Sequence, residues 1–266
     1  MYNISIYLTV QGMGRLRLLD GFRVQRLLRA LHDPDPKTRI DAVDALGELG
    51  DDRAVEPLIL AMQQKDNSGI IQARIIVALG KLQDRRSTEI LLRVLYDKVE
   101  IVPFSEMARI KAIESLGLIG DERAIRPLFV LLKRMGDREG TYEGNLFSRI
   151  RETLARIGSV HPLPFREFMK DQDDYFRSEA ARVLRSTPDP ANVPVLIEAL
   201  EDVNYVVRIN AAETLGLIRD PQATESLHRS LKDVNRDVRS AARQALDRIE
   251  GRESSIPVSK RSFLKK

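Results

Sequence analysis

The sequence predicts an all-α protein, an α-solenoid built from about seven stacked pairs of antiparallel helices. Three observations predict it: a helical stripe of small and apolar residues, the return of this stripe at a nearly constant spacing, and a second helical segment, marked by proline, between successive copies. These are the marks of a repeat protein, in which each unit buries its apolar face only against its neighbours.

The stripe is clearest between residues 202 and 220. Ala211, Leu215 and Gly216 follow Arg208 by three, seven and eight residues, and positions at these distances share one face of an α-helix. Because the stripe includes small side chains, it allows a neighbouring helix to approach closely. The segment therefore predicts a helix that packs against copies of itself.

The same pattern returns along almost the whole chain. Aligned on the position of Gly216, the copies fall at Gly47, Gly80, Gly117, Ala155, Arg185, Gly216 and Asp247. Subtracting successive positions gives spacings of 33, 37, 38, 30, 31 and 31 residues. Spacings in this range indicate a stacked array of supersecondary units.

Between the copies lies a second apolar segment, of which AVEPLILAM at 54–62 is an example. Such segments follow an Asp-containing turn and carry a proline three residues after their first alanine, at Pro57, Pro127 and Pro194. Proline is tolerated in a first helical turn because its missing N–H has no partner there. Each repeat is therefore predicted to be a helix A followed by a helix B.

These motifs resemble HEAT repeats, most of all the short type first described in phycobilisome lyase subunits. The resemblance lies in GD-x-x-A-x-x-P-L, as at 50–58, and in D-x5-R-x2-A-x3-L-G, and it covers roughly residues 21 to 251. It implies a right-handed α-solenoid in which the motif Asp and Arg bond between neighbouring repeats. The positions to which it gives this structural role are Asp33, Arg39, Arg109, Asp171, Arg177, Asp202, Arg208, Asp233 and Arg239.

Seven helix pairs are expected in order along the chain. The A and B helices are predicted at 22–31 and 36–49, 53–64 and 68–82, 86–96 and 104–119, 122–135 and 145–157, 164–170 and 175–185, 191–200 and 205–218, and 221–231 and 236–249. Helix A of the fifth repeat is weak because Pro162 and Pro164 delay its start. In the seventh repeat, Asp247 replaces the close-packing glycine and suits an end cap that faces water.

Three segments are predicted. Residues 1–20 form an N-terminal extension, either a cap or disordered, in which apolar residues alternate from Ile4 to Val10 as in a strand. Residues 21–250 form the array, and residues 251–266 form a basic, disordered tail. Met13 is an alternative start, which would place the first twelve residues outside the native protein.

Composition narrows the function classes. The chain has no cysteine, which excludes disulfides, thiol nucleophiles and Cys-ligated metals. It has no apolar run of the roughly 18 residues that a membrane span needs and no convincing signal peptide, so a cytoplasmic location is expected. The net charge of +4 belongs to the tail, whose five basic residues and one acid leave residues 1–250 neutral. Nucleic acid is therefore not the expected partner.

Repeats 3 and 4 depart from the pattern. Their A-to-B connections lengthen to 97–103 and 136–144, and Pro103 and Thr141 replace the motif Asp. Insertions in a solenoid often mark its binding face. Four aromatic residues, Tyr96, Phe104, Tyr142 and Phe147, lie in or beside the two connections, although Phe104 and Phe147 also fit simple packing at helix starts.

The B helices supply a candidate surface, since the resemblance implies that they line the concave side. Repeats 2 to 4 place basic residues at exposed B positions: Arg74, Lys81, Lys111, Arg149 and Arg156. Glu114 and Glu152 interrupt them, and repeat 1 is acidic there. A mixed row fits an acidic protein segment or helix better than a duplex, and it equally fits a solvated face of neutralising pairs.

No catalytic constellation appears, and no catalytic residue, cofactor or metal ligand is predicted. Deoxyhypusine hydroxylases, which resemble HEAT arrays, use several His-Glu pairs, whereas His32, His161 and His228 precede Asp, Pro and Arg. The chain also lacks zinc-site spacings and a phosphate loop. DNA glycosylases of similar fold use aromatic residues in a basic cleft, which the absence of tryptophan and the neutral array disfavour.

Two functions stay open. The first is a scaffold that binds another protein through the concave B-helix face and the connections of repeats 3 and 4. The alternative is a phycobilisome-type bilin lyase subunit acting on chromophore attachment, which the resemblance suggests and which could use Tyr96, Tyr142 and Arg149. The identity of the partner and the oligomeric state do not follow from the sequence.

Overall fold

In the computed structural model, residues 21–64, 68–96, 106–136 and 144–252 are described, and every regular element in these ranges is helical. The all-α fold of stacked helix pairs is confirmed. The alternating segment at 4–10, most of the basic tail, Phe104 and Tyr142 lie outside the described residues. Among the described residues, no helix combines the length and the apolar character needed to cross a membrane.

The chain divides into two compact units, up to Ile157 and from Gly158, and the division falls within α8. The first unit holds α1 (21–30), α2 (Pro36–Leu49), α3 (Val55–Met62), α4 (Gly69–Leu82), α5 (Thr88–Tyr96), α6 (Glu106–Ile119), α7 (Ile125–Gly136) and most of α8 (Gly144–Val160). The second holds α9 (Leu163–Phe168), α10 (Asp174–Ser186), α11 (Val193–Ala199), α12 (Tyr205–Ile218), α13 (Thr224–Ser230) and α14 (Arg236–Ile249). The single array predicted for residues 21–250 stays a prediction.

Five A helices begin two or three residues later than expected, because a short 3-10 turn comes first. These turns are Asp52–Ala54, Arg85–Ser87, Glu122–Ala124, Pro190–Asn192 and Pro221–Ala223. Each is capped by the preceding aspartate; the Asp84 carboxylate, for example, accepts the Arg86 N–H at 2.8 Å. The aspartate that seemed to open helix A therefore caps the tighter turn before it.

In each unit, the B helices pack against the B helices of neighbouring repeats. In the first unit α2 packs on α4 and α4 on α6, and in the second α10 packs on α12 and α12 on α14. Leu46, Leu79, Leu116 and Leu215 of the B-helix stripe are fully buried. Because the buried stripe takes one side of each B helix, another side is left to carry charged residues outward.

Candidate protein-binding surface

The candidate site is the outward side of α2, α4, α6 and α8 in the first unit, named here the B-helix face. Its residues are Asp41, Asp44, Glu48, Arg74, Val77, Lys81, Lys111, Glu114, Leu118, Arg149, Glu152 and Arg156. All are exposed or half-buried. All five basic residues predicted to bind a partner lie on this face.

Ion pairs cross from α4 to α2. Arg74 Nη1 lies 3.2 Å from Asp44 Oδ2, and Lys81 Nζ lies 2.5 Å from Glu48 Oε1. The acidic residues of repeat 1 are thus the intramolecular partners of the basic residues of repeat 2. The acidic and the basic residues could each be identified from the sequence. Their pairing could not, because the contacts join positions 30 and 33 residues apart.

A second set of pairs centres on Glu114. Its carboxylate lies 2.9 Å from Lys111 Nζ on the same helix and 3.9 Å from Arg149 Nε on α8. Arg149 also pairs with Glu152 at 3.1 Å. With five acids and five bases, the B-helix face is formally neutral, although repeats 2 to 4 taken alone are more basic than acidic.

These pairs are exposed, with side-chain exposures between 34% and 72%. Exposed ion pairs contribute on the order of 0.2–1 kcal/mol each, because water competes for both groups. The pairs therefore orient the side chains only weakly. An incoming charged group can replace either member of a pair at a small cost in free energy.

A shallow pocket of about 300 Å³ opens between α6 and α8 on this face. It is lined by Glu114, Gly117, Leu118, Arg149, Glu152, Thr153 and Arg156. At its floor the helices approach so closely that a Cβ on Gly117 would lie 3.1 Å from Thr153 Oγ1. Thr153 Oγ1 donates to the Ile113 carbonyl at 3.0 Å, so the floor has no free hydroxyl donor. The pocket thus has a closed floor, and its sides carry one aliphatic and four charged side chains.

Tyr96 lies at the end of α5 and is half-buried. Its hydroxyl donates to the Pro127 carbonyl in α7, and Arg134 lies over its ring, 5.9 Å from the centroid. Burial raises the pKa of Tyr96. The side chain therefore joins the A helices of repeats 3 and 4 beside the long connection. In repeat 4, Phe147 packs under the guanidinium of Arg151 at 4.2 Å.

The motif Asp and Arg residues form a ladder in the second unit. Arg177 Nε and Nη2 donate to the two oxygens of Asp202 at 2.6 and 3.0 Å, and Arg177 Nη1 donates to the Asp171 carbonyl at 2.8 Å. Arg208 repeats this geometry one step on, with Asp233 at 2.8 and 3.0 Å and the Asp202 carbonyl at 2.7 Å. Asp202 thus joins two arginines, Arg177 through its carboxylate and Arg208 through its carbonyl.

Elsewhere in the described ranges, motif arginines donate to backbone carbonyls of their own repeat. Arg239, in the last repeat, donates to the Asp233 and Val234 carbonyls at 2.7 and 3.0 Å. In repeat 1, Arg39 donates to the Asp33 carbonyl at 2.7 Å in the same way. Arg109 lies half-buried on α6, in a repeat that has Pro103 in place of the motif Asp.

A second arginine ladder, at the B-to-A turns of the first unit, was missed from the sequence. Arg86 pairs with Asp84 in its own turn and donates to the Asp52 carbonyl of the preceding turn at 3.0 Å. Arg123 pairs with Asp121 and reaches the Arg85 carbonyl at 2.7 Å. The sequence signal for this ladder is a recurring D-x-R motif, which is also present at residues 51–53. In repeats 6 and 7 Ala191 and Gln222 take the place of the arginine.

Acid should weaken the second unit through Asp233. The Arg208 hydrogen bond holds the pKa of this carboxyl below its ordinary value, so its contribution to stability is complete above the unfolded-chain pKa of about 3.9 and is lost as the pH falls through the folded value. We expect hydrogen exchange in α12 and α14 to rise steeply below about pH 4. In Asp233→Asn this rise should be shallower; an unchanged pH profile would contradict the assignment.

Histidines do not form a site in the described part of the chain. His32 and His228 are exposed, at the ends of the first and last A helices, and His161 follows α8. No group of three or more His, Cys, Asp and Glu residues that could hold a metal occurs in the described ranges.

Comparisons with known proteins agree with this geometry. The family profile for HEAT repeats matches residues 24–103 and 163–247, and that for the PBS lyase HEAT-like repeat matches residues 108–128. A deoxyhypusine hydroxylase of Drosophila melanogaster is 28% identical over 219 residues, which covers 62% of this chain and 70% of the fly protein. The three histidines here stand in no His-Glu dipeptide.

Solved structures are similar at lower identity. Kap121p is 14% identical with a TM-score of 0.54, over 85% of this chain and 29% of that protein. The complex of CpcE and CpcF of phycocyanin lyase from Nostoc sp. PCC7120 is 22% identical with a TM-score of 0.44, over 88% and 90% of the two chains. At 14% identity the likeness to Kap121p shows the fold alone. Because the HEAT profile matches more than half of its length, the chain belongs to the HEAT-repeat family.

Proposed function

We propose that this protein is an interaction scaffold that binds a segment of another protein on the B-helix face of its first unit. The long connections of repeats 3 and 4, with Phe104 and Tyr142, contribute to the same contact. The observation that carries the proposal is the B-helix face itself, a surface of ten exposed or half-buried charged side chains, four of which line a pocket. The cytoplasmic location expected from the sequence stays a prediction.

The chemistry of the face favours a charged protein segment. Both members of its ion pairs are accessible to solvent. A partner's carboxylate or ammonium group can therefore replace one member without leaving a buried charge unpaired. Leu118, 39% exposed in the pocket, offers one aliphatic contact. Such a face selects by charge pattern more than by apolar area.

Reversal of three arginine and lysine charges tests the proposal. In the variant Arg74→Glu, Lys111→Glu, Arg149→Glu, we expect at least a tenfold loss of partner protein in affinity capture quantified by mass spectrometry. The reason is that three attractive contacts become repulsive, each change costing on the order of 1 kcal/mol or more.

The matched control is Arg29→Glu, Arg93→Glu, Arg126→Glu, which makes the same charge change at exposed positions on A helices of the same unit. Circular dichroism should show native helix content in both variants. Proteins captured equally by the wild type and both variants would show that the B-helix face is not the binding surface.

A second candidate is a subunit that attaches a bilin to a phycobiliprotein. It is favoured by the PBS lyase HEAT-like match at 108–128, which includes the pocket residues Glu114, Gly117 and Leu118. Co-expression with a bilin and an apo-phycobiliprotein should then give a product with visible absorbance that survives denaturation. A colourless denatured product would exclude this function for the pair tested.

A further inference from the structure

The charges of the B-helix face are arranged in three rows that run across α2, α4, α6 and α8. The first row is Asp41, Arg74, Lys111 and Arg149; the second is Asp44, Val77, Glu114 and Glu152; the third is Glu48, Lys81, Leu118 and Arg156. Within repeats 2 to 4 the two outer rows hold only basic and apolar residues, and the acids stand in the middle row.

Repeat 1 differs from this pattern, since its residues in the two outer rows, as well as in the middle row, are acidic. Asp41, Asp44 and Glu48 are exposed or half-buried, and no basic residue of α2 shares their rows. Ion pairs connect neighbouring helices of this face: Glu48 pairs with Lys81 within the third row, whereas Asp44 pairs with Arg74 and Glu114 with Arg149 between the second row and the first. The face therefore has a charge polarity along the array, acidic at α2 and flanked by basic rows from α4 to α8.

We infer that the bound segment has a matching order of charges: a basic end that lies on α2, followed by an acidic stretch that lies across α4, α6 and α8. This inference rests on the proposed function and specifies its partner. Acidic side chains spaced along the stretch reach the two basic outer rows, and the basic end takes the place of Arg74 and Lys81 beside Asp44 and Glu48.

The length of the segment follows from helix packing. Neighbouring helix axes lie roughly 8–10 Å apart, so four B helices span about 24–30 Å. An extended chain covers about 3.3 Å per residue, which sets the contact at about seven to nine residues. About two partner residues then face each helix, enough for one charged side chain per outer row.

The first experiment measures binding of synthetic peptides to the full chain by fluorescence anisotropy. The probes are peptides of about twelve residues with identical lysine, glutamate and alanine content, either in blocks, with the lysines at the amino or the carboxyl end, or shuffled. We expect one block order to bind about tenfold more tightly than the shuffled peptide. Equal affinity of block and shuffled peptides would overturn the inferred polarity.

A second measurement locates the basic end, using the absence of cysteine from the sequence. A fluorophore is attached at Lys37→Cys on α2 or at Ser148→Cys on α8, both exposed, and a quencher is attached to the lysine end of the tighter peptide. Quenching from α2 and not from α8 is expected. Quenching from α8 alone would overturn the inference.

Charge reversal supplies the variant test. Asp41→Lys, Asp44→Lys, Glu48→Lys should abolish the preference for the block peptide, whereas Glu56→Lys, Glu89→Lys, Glu122→Lys, at exposed positions outside the face, should preserve it. Persistence of the preference in the first variant would overturn the inference. If no acidic peptide binds the wild type, and partner capture is also unchanged by reversal of Arg74, Lys111 and Arg149, the proposed function fails together with the inference.

Discussion

Replacing Arg208 by alanine should lower the free energy of unfolding of the second unit by about 3 kcal/mol. Arg208 and Asp233 are each 12% exposed, and the guanidinium also donates to the Asp202 and Val203 carbonyls. Removing one member of a buried pair leaves the other charge without compensation, which costs roughly 3–5 kcal/mol. Urea denaturation, followed by hydrogen exchange in α12 and α14, measures the change.

Arg239→Ala is the matched control. This side chain donates to the Asp233 and Val234 carbonyls but pairs with no carboxylate among the described residues. Its loss should therefore cost about 1.5 kcal/mol, the lower end of the range for hydrogen bonds that involve a charged group, because no anion is left without its partner. Equal losses for the two variants would show that the Asp233 carboxylate adds nothing to the ladder.

Replacing Gly216 by leucine should destabilise the second unit by about 3 kcal/mol or more. A Cβ at this position would lie 2.7 Å from Ala245 Cα and 2.9 Å from Ala245 Cβ on α14. The obstacle is backbone, which cannot rotate away, so α12 and α14 must separate and lose part of their contact. A fall in the thermal midpoint, with loss of protection in both helices, is the expected measurement.

Gly69→Ala is the control for this substitution. Gly69 begins α4, is exposed, and has no atom within 4 Å of an added Cβ. Alanine there should leave stability unchanged or raise it by up to about 1 kcal/mol, because it restricts the unfolded chain. If both glycine variants unfolded alike, close packing would not be the reason for the glycine in the stripe.

The helix pattern was predictable because it is local. Three B helices, α2, α12 and α14, begin and end at the predicted residues, since their caps and stripes follow one another directly in the chain. The A helices were less well placed, because an aspartate that caps a helical turn is compatible with either an α-helix or a 3-10 turn. Only the backbone hydrogen bonds distinguish the two: in a 3-10 turn an N–H donates to the carbonyl three residues earlier, as Ser87 N–H does to the Asp84 carbonyl at 3.0 Å.

The candidate face was predicted in part. Its basic residues could be found because a fixed offset from the motif arginine marks the outward side of each B helix. Their pairing could not, because Asp44 with Arg74 and Glu48 with Lys81 join neighbouring repeats and depend on how far one helix is shifted along the next. Tyr96, predicted to bind a partner, contacts Pro127 and Arg134 of the next repeat, and its part in binding stays a prediction.

The sequence by itself determined the repeat, its length, and the residues that each helix buries, because these depend on periodicity within about 35 residues. Tertiary structure alone decided which arginine joins which turn: the first unit uses Arg86 and Arg123 at its B-to-A turns, and the second uses Arg177 and Arg208 at its A-to-B turns. The physical reason is that a guanidinium, with five N–H donors, donates to any carboxylate or carbonyl oxygen within reach, and the stacking of the repeats decides which oxygens are within reach.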